Sequence, residues 1–228
     1  MLKFQQKVKN MKKYLNILRT CPLFEGIADE NLLRMLNCLG ARVAFFDKKY
    51  TVIAEGNPAK FVGIVLSGSV QIIQTDYYGN RSIVGHSEVS QVFGEAFACA
   101  EVKKMPVSII ANEPSEIMFI DCTHILHTCT NNCGFHQQLI FNMMKNLAVK
   151  NIQFHQKIEV TSKRSTREKL MAYLMLCAKK SGNSFDIPFD RQELADFLGV
   201  ERSGLSVEIS KLKKEGVIDA YKKHFELL

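Results

Sequence analysis

The C-terminal part of the chain holds the side chains whose types and spacing are best suited to recognising a ligand through hydrogen bonds and charge. Leu205, Ile209 and Leu212 recur at i, i+4 and i+7, which predicts a helix over 201–214 with these residues facing inward. Small hydroxyls and an arginine on the outer face can enter the major groove, the arginine can bond O6 and N7 of guanine together, and lysines can neutralise phosphates. The predicted DNA-contact residues are Arg202, Ser203, Ser206, Val207, Ser210, Lys213 and Lys214.

Such a helix needs elements that present it to the groove. Asp190 and Glu193 form a capping box that opens a preceding short helix, in which Ala195 is small enough for another helix to cross closely. Gly199 makes the turn between the two helices. These features predict a winged helix-turn-helix domain over 163–228 rather than a helical hairpin with a solvated charged face. The wing residues expected to reach the DNA backbone are Lys222, Lys223 and His224.

A long stretch ahead of this domain contains neither proline nor internal glycine, and a helix over it would span roughly 40 Å. Its apolar residues step by four and three, which is the spacing of a coiled-coil seam. We therefore predict a dimerisation helix over 135–162, in which Asn151 pairs with its symmetry mate. The opposite face, through Leu139, Met143 and Ile152, serves for packing on the helix's own barrel. The predicted dimer-interface residues are Ile140, Met144, Leu147, Asn151, Phe154 and Ile158.

The middle of the chain predicts an antiparallel β-barrel. Between residues 42 and 120, short β-branched and aromatic runs are broken by Gly56, Gly68 and Gly79 at steps of roughly 12 residues. A jelly roll is the expected architecture, and the fold class is α+β. Two helices are predicted before the barrel, one over 2–18 and one from Asp29 to Gly40. The barrel and its flanking helices together form a predicted effector-sensing domain over 1–134.

The composition and charge distribution are typical of a folded protein whose N-terminal and C-terminal segments contact a polyanion. The net charge is +7 over 228 residues, but residues 20–162 carry 11 basic against 13 acidic side chains, whereas residues 163–228 carry 13 against 10. Seven scattered cysteines and the absence of a secretory signal indicate a reducing cytoplasm. No stretch approaches 18 apolar residues, so no membrane span is expected.

In this order, the parts resemble the Crp/Fnr superfamily of bacterial transcription regulators. The landmarks are Pro22-Leu23-Phe24, Glu55-Gly56, Gly68-Ser69-Val70 and Phe93-Gly94-Glu95, followed by the long helix and the helix-turn-helix. The resemblance implies a homodimer that senses a small molecule or redox signal and then reorients two winged helices so that they bind a palindromic DNA site. It implies a regulator and not an enzyme. It also implies RNA polymerase as a partner. Family members often carry a second recognition arginine where this chain has Val207, so a different half-site is expected.

The resemblance implies an effector site, and the sequence departs from the family there. Cyclic-AMP-binding members follow the matching Gly-Glu with an Arg-Ser pair that clamps the cyclic phosphate, and here that pair aligns with Met105-Pro106. This argues against cyclic AMP in the usual pose and leaves the effector unknown. Coupling to DNA is expected near Asn151 and a hinge at 161–166. The predicted effector-contact residues are Gly94, Glu95, Met105, Pro106 and Asn151.

Two other interpretations involve metals or thiols. A jelly-roll metalloenzyme of the cupin kind needs two or three histidines and a carboxylate inside the barrel, where the sequence offers only His86. An iron-sulfur cluster is not supported, because only Cys21 lies in the N-terminal region. A thiol-responsive regulator stays open through Cys129 and Cys133, although their spacing is loose for zinc and no metal site is predicted. The neighbours considered for that thiol pair are Cys122, His124 and His127.

Overall fold

The structure is a computed structural model that contains two compact units. The barrel unit comprises the residues up to Thr75 together with Val84–Lys150, and the C-terminal unit comprises Asp76–Ile83 with Asn151–Leu228. Within the described part of the chain, no helix has the length and apolar character that a membrane crossing requires. The residues that the structure describes are 6–7, 11–126 and 134–228.

Antiparallel strands form two sheets, which belong to the barrel unit except for the first residues of β6. One sheet has the order β1-β2-β9-β4-β7, and the other has the order β3-β8-β5-β6. The predicted antiparallel jelly roll is therefore confirmed. The strands are β1 (Gln6–Lys7), β2 (Arg42–Phe46), β3 (Thr51–Ile53), β4 (Phe61–Ser67), β5 (Val70–Thr75), β6 (Arg81–Ser87), β7 (Val92–Phe93), β8 (Ser108–Ala111) and β9 (Ser115–Asp121).

Strand β4 shows how the two faces of its sheet are used. Val65 packs with both sheets in the interior of the barrel, while its neighbours Ile64 and Leu66 face the helices that cover the outside. This alternation follows from the two-residue period of a strand. The interior is filled by apolar and aromatic side chains, with the rings of Phe93 and Phe119 nearly perpendicular at a centroid distance of 6.5 Å.

Tight backbone approach explains one landmark glycine of the barrel. Gly68 has φ +74°, and a Cβ built on it would lie 2.5 Å from the carbonyl oxygen of Pro114 and 2.4 Å from Ser115 Oγ. A side chain at this position would therefore clash with backbone as well as strain the turn. The neighbouring Ser69 amide donates to Ser115 Oγ at 3.2 Å, which closes the turn.

Five α-helices lie among the described residues of the first part of the chain, and the N-terminal prediction is wrong in part. Gln6 and Lys7 form a strand that pairs with Arg42 and Val43 of β2, so no continuous helix runs over 2–18. The open edge of β2 satisfies the backbone groups of this segment, which local periodicity does not reveal. The rest of the segment outside 6–7 and 11–18 is not described. The helices are α1 (Leu15–Arg19), α2 (Asp29–Cys38), α3 (Glu95–Cys99), α4 (Cys122–Leu126) and α5 (Gly134–Thr161).

The C-terminal unit places three helices against a small sheet of order β10-β12-β11. Leu170, Leu194, Leu198 and Phe225 are fully buried in its core. The predicted long helix and the winged helix-turn-helix that follows it are confirmed. The elements are α6 (Thr166–Ser181), β10 (Ser184–Asp186), α7 (Arg191–Leu198), α8 (Arg202–Lys214), β11 (Ile218–Tyr221) and β12 (His224–Leu227).

Candidate nucleic-acid interface

The start of α7 is fixed by the capping box that the sequence predicts. The Glu193 amide donates to Asp190 Oδ1 at 2.9 Å, and the Asp190 amide donates to Glu193 Oε2 at 2.6 Å. At the other end, Gly199 has φ +62° and lets the chain leave α7 in a left-handed conformation. Ala195 is fully buried, and the Val200 amide donates to its carbonyl at 3.1 Å. These contacts set the angle at which α8 follows α7.

Removing this cap should weaken the C-terminal unit without removing any DNA contact. We expect Asp190→Ala to lower the free energy of unfolding by about 1 kcal/mol, because a donor at the helix start loses its partner. Asp196→Ala is the matched control, because it removes only the side-chain hydrogen bond that Gln192 donates at 2.8 Å. Such a pair contributes about 0.2–0.5 kcal/mol. Urea denaturation of both variants makes the comparison, and equal losses would contradict the capping role.

Helix α8 has a buried face and an outer face, as its spacing predicts. Leu205, Ile209 and Leu212 are at most 5% exposed and anchor the helix on the core. On the outer side Val207 is 53% exposed. A shallow depression of about 400 Å³ runs along this side, and its lining combines two serines and two lysines with the exposed Val207. The lining residues are Ser206, Val207, Ser210, Lys211 and Lys214.

The two serines of the depression are held by their own helix. Ser206 Oγ donates to the carbonyl of Arg202, and Ser210 Oγ donates to that of Ser206, both at 3.0 Å. Their lone pairs remain available, so each hydroxyl can accept a hydrogen bond from an amino group such as N6 of adenine or N4 of cytosine. The protons are already used by the helix, which favours an accepting role.

The lysines of this surface differ in whether a carboxylate of the protein already pairs with them. Lys213 Nζ lies 2.8 Å from Asp219 Oδ1 and also donates to the Ala220 carbonyl, so it ties α8 to β11. Lys211 pairs with Glu208 at 2.9 Å. Among the described residues, Lys214 has no acidic partner within ion-pair distance, and it is exposed. Of the two predicted lysine contacts on α8, Lys213 is offset by a carboxylate, whereas Lys214 has no such partner among the described residues.

One arginine at the start of α7, Arg191, was not among the predicted contacts. Burial lowers the pKa of Arg191 from its usual value, and the positive charge of Arg202 lowers it further. Arg191 also lies 5.5 Å from the centroid of the Phe225 ring. Its position directly after the helix cap is the signal that could have identified it, because the start of a helix attracts phosphate.

The wing is a hairpin of β11 and β12 whose basic residues are unequally available. Lys223 Nζ donates to the Pro188 carbonyl at 2.9 Å, and His224 Nδ1 lies 3.0 Å from Asp186 Oδ1. Lys222 contacts the ring of Tyr221 instead, with 5.3 Å between Nζ and the ring centroid. Of the three predicted wing residues, Lys223 and His224 make hydrogen bonds that hold the hairpin to the rest of the unit, whereas Lys222 contacts the neighbouring ring at the turn.

The predicted effector residues lie in different surroundings. Gly94 precedes α3 with φ +79°, and the buried Glu95 turns its carboxylate toward α5, where Asn146 Nδ2 is 3.0 Å and Lys150 Nζ is 2.6 Å from Oε1. Met105 is 2% exposed in the barrel interior, and Pro106 is exposed. Asn151 lies exposed on α5. Within the described residues no lysine or arginine is fully buried, and the cation beside Glu95, Lys150, is half-buried and already paired with that carboxylate.

Comparison with known proteins agrees with both parts of this arrangement. Residues 43–132 match the cyclic nucleotide-binding domain, and residues 168–228 match the Crp-like helix-turn-helix domain. The transcriptional activator protein FnrL of Cereibacter sphaeroides is 24% identical over 184 residues, which cover 74% of this chain and 68% of FnrL. The chain belongs to the Crp/Fnr family.

Two further similarities define how far the likeness of this Crp/Fnr member extends. The structure of the c-di-GMP responsive global regulator CLP from Xanthomonas campestris shares the fold, with a TM-score of 0.71 and 18% identity over 87% of this chain and 99% of CLP. Human cGMP-dependent protein kinase 2 is 24% identical over 92% of this chain, but the chain spans only 27% of the kinase.

The long helix of this Crp/Fnr member has the two faces that its sequence predicts, with one exception. Leu139 and Met143 are buried against the barrel, whereas Ile152, which we expected beside them, is 60% exposed. Ile152 lies on the part of α5 that belongs to the C-terminal unit, beyond Lys150, the last α5 residue of the barrel unit. On the seam, Met144 and Ile158 are more than 60% exposed, and Phe154 and Asn151 are exposed as well. Ile140 and Leu147 are half-buried.

No described group of side chains in this Crp/Fnr member forms a metal site. In the ranges 11–126 and 134–228 there is no cluster of three or more His, Cys, Asp or Glu able to hold a metal ion. His124 Nδ1 lies 3.1 Å from the carbonyl oxygen of Leu39, and His136 Nε2 lies 3.0 Å from that of Ile125. Cys129, Cys133 and His127 lie outside the described residues.

Proposed function

We propose that this protein is an effector-gated, sequence-specific DNA-binding transcription regulator that acts as a homodimer on a palindromic site. One observation carries the proposal: α8 is anchored by three buried residues and presents short hydroxyls and basic side chains on its outer face. A helix with this division fits the major groove. In this proposal Arg202 reads a base, while Lys214 and the newly identified Arg191 contact phosphates.

The long helix supports the homodimer. Its seam combines exposed apolar residues with one exposed polar residue, Asn151, at regular steps of three and four. An apolar stripe of this kind on a free surface favours a partner, and asparagine in such a seam sets the register of the pair. The functional parts are then a sensing domain over 1–134, a dimerisation helix over 135–162 and a DNA-binding domain over 163–228.

The barrel supports an effector other than cyclic AMP in the family's usual pose. The apolar residue Met105 fills the barrel interior at one of the two positions where a phosphate clamp is expected, and Pro106 at the other has no donor group. Glu95 is already paired with Asn146 and Lys150. The effector contacts at Gly94, Glu95, Met105, Pro106 and Asn151 remain proposals, as does RNA polymerase as a partner. We propose no catalytic role.

A binding titration on the DNA upstream of the protein's own gene tests this function. We expect a discrete complex whose affinity exceeds that for a scrambled duplex of the same composition. The affinity should fall as salt rises, because lysine and arginine contacts release counterions from the DNA. The scrambled duplex controls for non-specific attraction by the basic surface. Equal affinity for both duplexes in reduced and oxidised protein, with the genomic upstream regions giving no preferred fragment, would contradict the proposal.

A further inference from the structure

Two cysteines that no part of the proposed DNA-binding machinery uses are in contact. Cys99 is the last residue of α3, Cys122 is the first residue of α4, and their sulfur atoms lie 3.5 Å apart. Both are free thiols. A disulfide has a sulfur-sulfur distance of about 2.05 Å, so the two atoms need to approach by about 1.5 Å to bond. Side-chain rotation with a small helix shift supplies a movement of that size.

The two thiols are not equivalent. Cys99 is partly exposed, whereas Cys122 is only 3% exposed. The hydrogen bond from Cys122 lowers the pKa of the Cys99 thiol, and the same bond together with burial raises the pKa of the Cys122 thiol. The accessible sulfur, Cys99, is therefore the one that is more readily deprotonated, and the buried thiol of Cys122 lies in contact with it. This is the arrangement of a peroxide-reactive thiol with its resolving thiol.

The pair is connected to the long helix through α3. Glu95 lies one turn before Cys99 on the same helix, so both side chains project from one side of it. The Glu95 carboxylate holds Asn146 and Lys150 of α5, at 3.0 and 2.6 Å. Any shift of α3 that closes the distance between the sulfurs acts on these two contacts. Lys150 is the last residue of the barrel unit, and the exposed seam continues from there.

We propose that Cys99 and Cys122 form a disulfide switch that a peroxide closes, and that this switch is a signal input of the barrel unit. This inference rests on the proposed function as a regulator, and it identifies a peroxide as the signal that the regulator senses. The Cys99 thiolate attacks one oxygen of the peroxide and the O–O bond breaks. The attacked oxygen stays on Cys99, which becomes a sulfenic acid, and the other oxygen takes up a proton and leaves as water or an alcohol. The Cys122 thiol then attacks the Cys99 sulfur, the S–O bond breaks, and the departing hydroxide takes the Cys122 proton and leaves as water. Two thiols lose two electrons in total, and the peroxide gains them.

Peptide mass spectrometry of the full chain tests the chemistry. Reduced protein is treated with hydrogen peroxide, alkylated and digested. We expect a peptide pair linked through Cys99 and Cys122 that dithiothreitol separates. Cys122→Ser should instead leave a dimedone-reactive sulfenic acid on Cys99, while Cys177→Ser is the matched control that leaves the linked pair unchanged. Linkage of Cys122 to Cys129 or Cys133, or no linkage at all, overturns the proposal.

Hydrogen exchange and DNA titration test the regulatory step separately. Oxidation should change exchange in residues 140–150 of the wild type and leave Cys122→Ser unchanged. It should also change the affinity for DNA by about 5–150-fold, the usual range of coupling between sites. If the disulfide forms but neither quantity changes, the switch is wrong while the DNA-binding function stands. If neither redox state prefers specific DNA, the proposed function fails, and the assignment of a regulatory input fails with it.

Discussion

Ile158→Glu should convert the protein from a dimer into a monomer and weaken its binding to a palindromic site by about 100-fold or more. Ile158 is 63% exposed on the seam of α5, where a partner helix would bury it, and a carboxylate at that position would face its own symmetry mate. Loss of the dimer removes the second half-site contact, and linked binding of two half-sites contributes about 10²–10⁴ in affinity. Sedimentation velocity and a DNA titration measure the two effects.

Ile152→Glu is the matched control for this experiment. The residue type is the same, the helix is the same, and Ile152 is 60% exposed, but it does not lie on the seam. We expect this variant to stay dimeric and to bind DNA like the wild type. If both variants dissociate, exposed apolar area in general holds the dimer and the seam assignment is wrong. If neither does, α5 is not the dimer helix.

Arg202→Ala should cost the preferred DNA site about 1–3 kcal/mol, or roughly five- to 150-fold in affinity, and leave random DNA nearly unaffected. The outer face of α8 carries Arg202 at its first turn, where a guanidinium can bond two atoms of one guanine. Lys214→Ala should instead weaken all sequences about equally and lower the salt slope by about one. Lys214 suits this role because its charge has no acidic partner among the described residues.

Titrations of both variants on the preferred and a scrambled duplex, at several salt concentrations, separate base reading from phosphate contact. Equal losses on both duplexes for Arg202→Ala would show that this side chain does not read bases. Lys213 remains a predicted phosphate contact, but it is a poor test residue. Its replacement also breaks the ion pair with Asp219, so the wing would loosen at the same time.

Local patterns predicted the helix-turn-helix in detail because its determinants lie close together in sequence. The Asp190–Glu193 box spans four residues, Gly199 is a single turn position, and the inward face of α8 repeats every three to four residues. The long helix was predictable for the same reason, since nothing in its sequence interrupts it. The spacing of the glycines was sufficient to predict the barrel, because the strands are short and glycines mark the turns between them.

Contacts between distant residues escaped prediction. The strand at Gln6–Lys7 exists because β2 offers it an open edge, and no local feature of a lysine-rich segment announces that pairing. The partners of Glu95 lie on a helix more than fifty residues away, so its role in holding α5 could not be read from the Gly-Glu landmark. Lysines look alike in sequence, and only the structure distinguishes Lys213, bound to the wing, from Lys214.

Selection from a pool of randomised duplex DNA tests the central claim most directly. The wild-type protein should enrich a two-fold symmetric sequence whose half-site centres lie about one helical turn, roughly 10 base pairs, apart. Arg202→Ala should lose the preference at one position in each half-site and keep the spacing. Failure to enrich any sequence in either redox state, or enrichment of an asymmetric sequence that Arg202→Ala leaves unchanged, would contradict the assignment of α8 as the reading helix of a dimer.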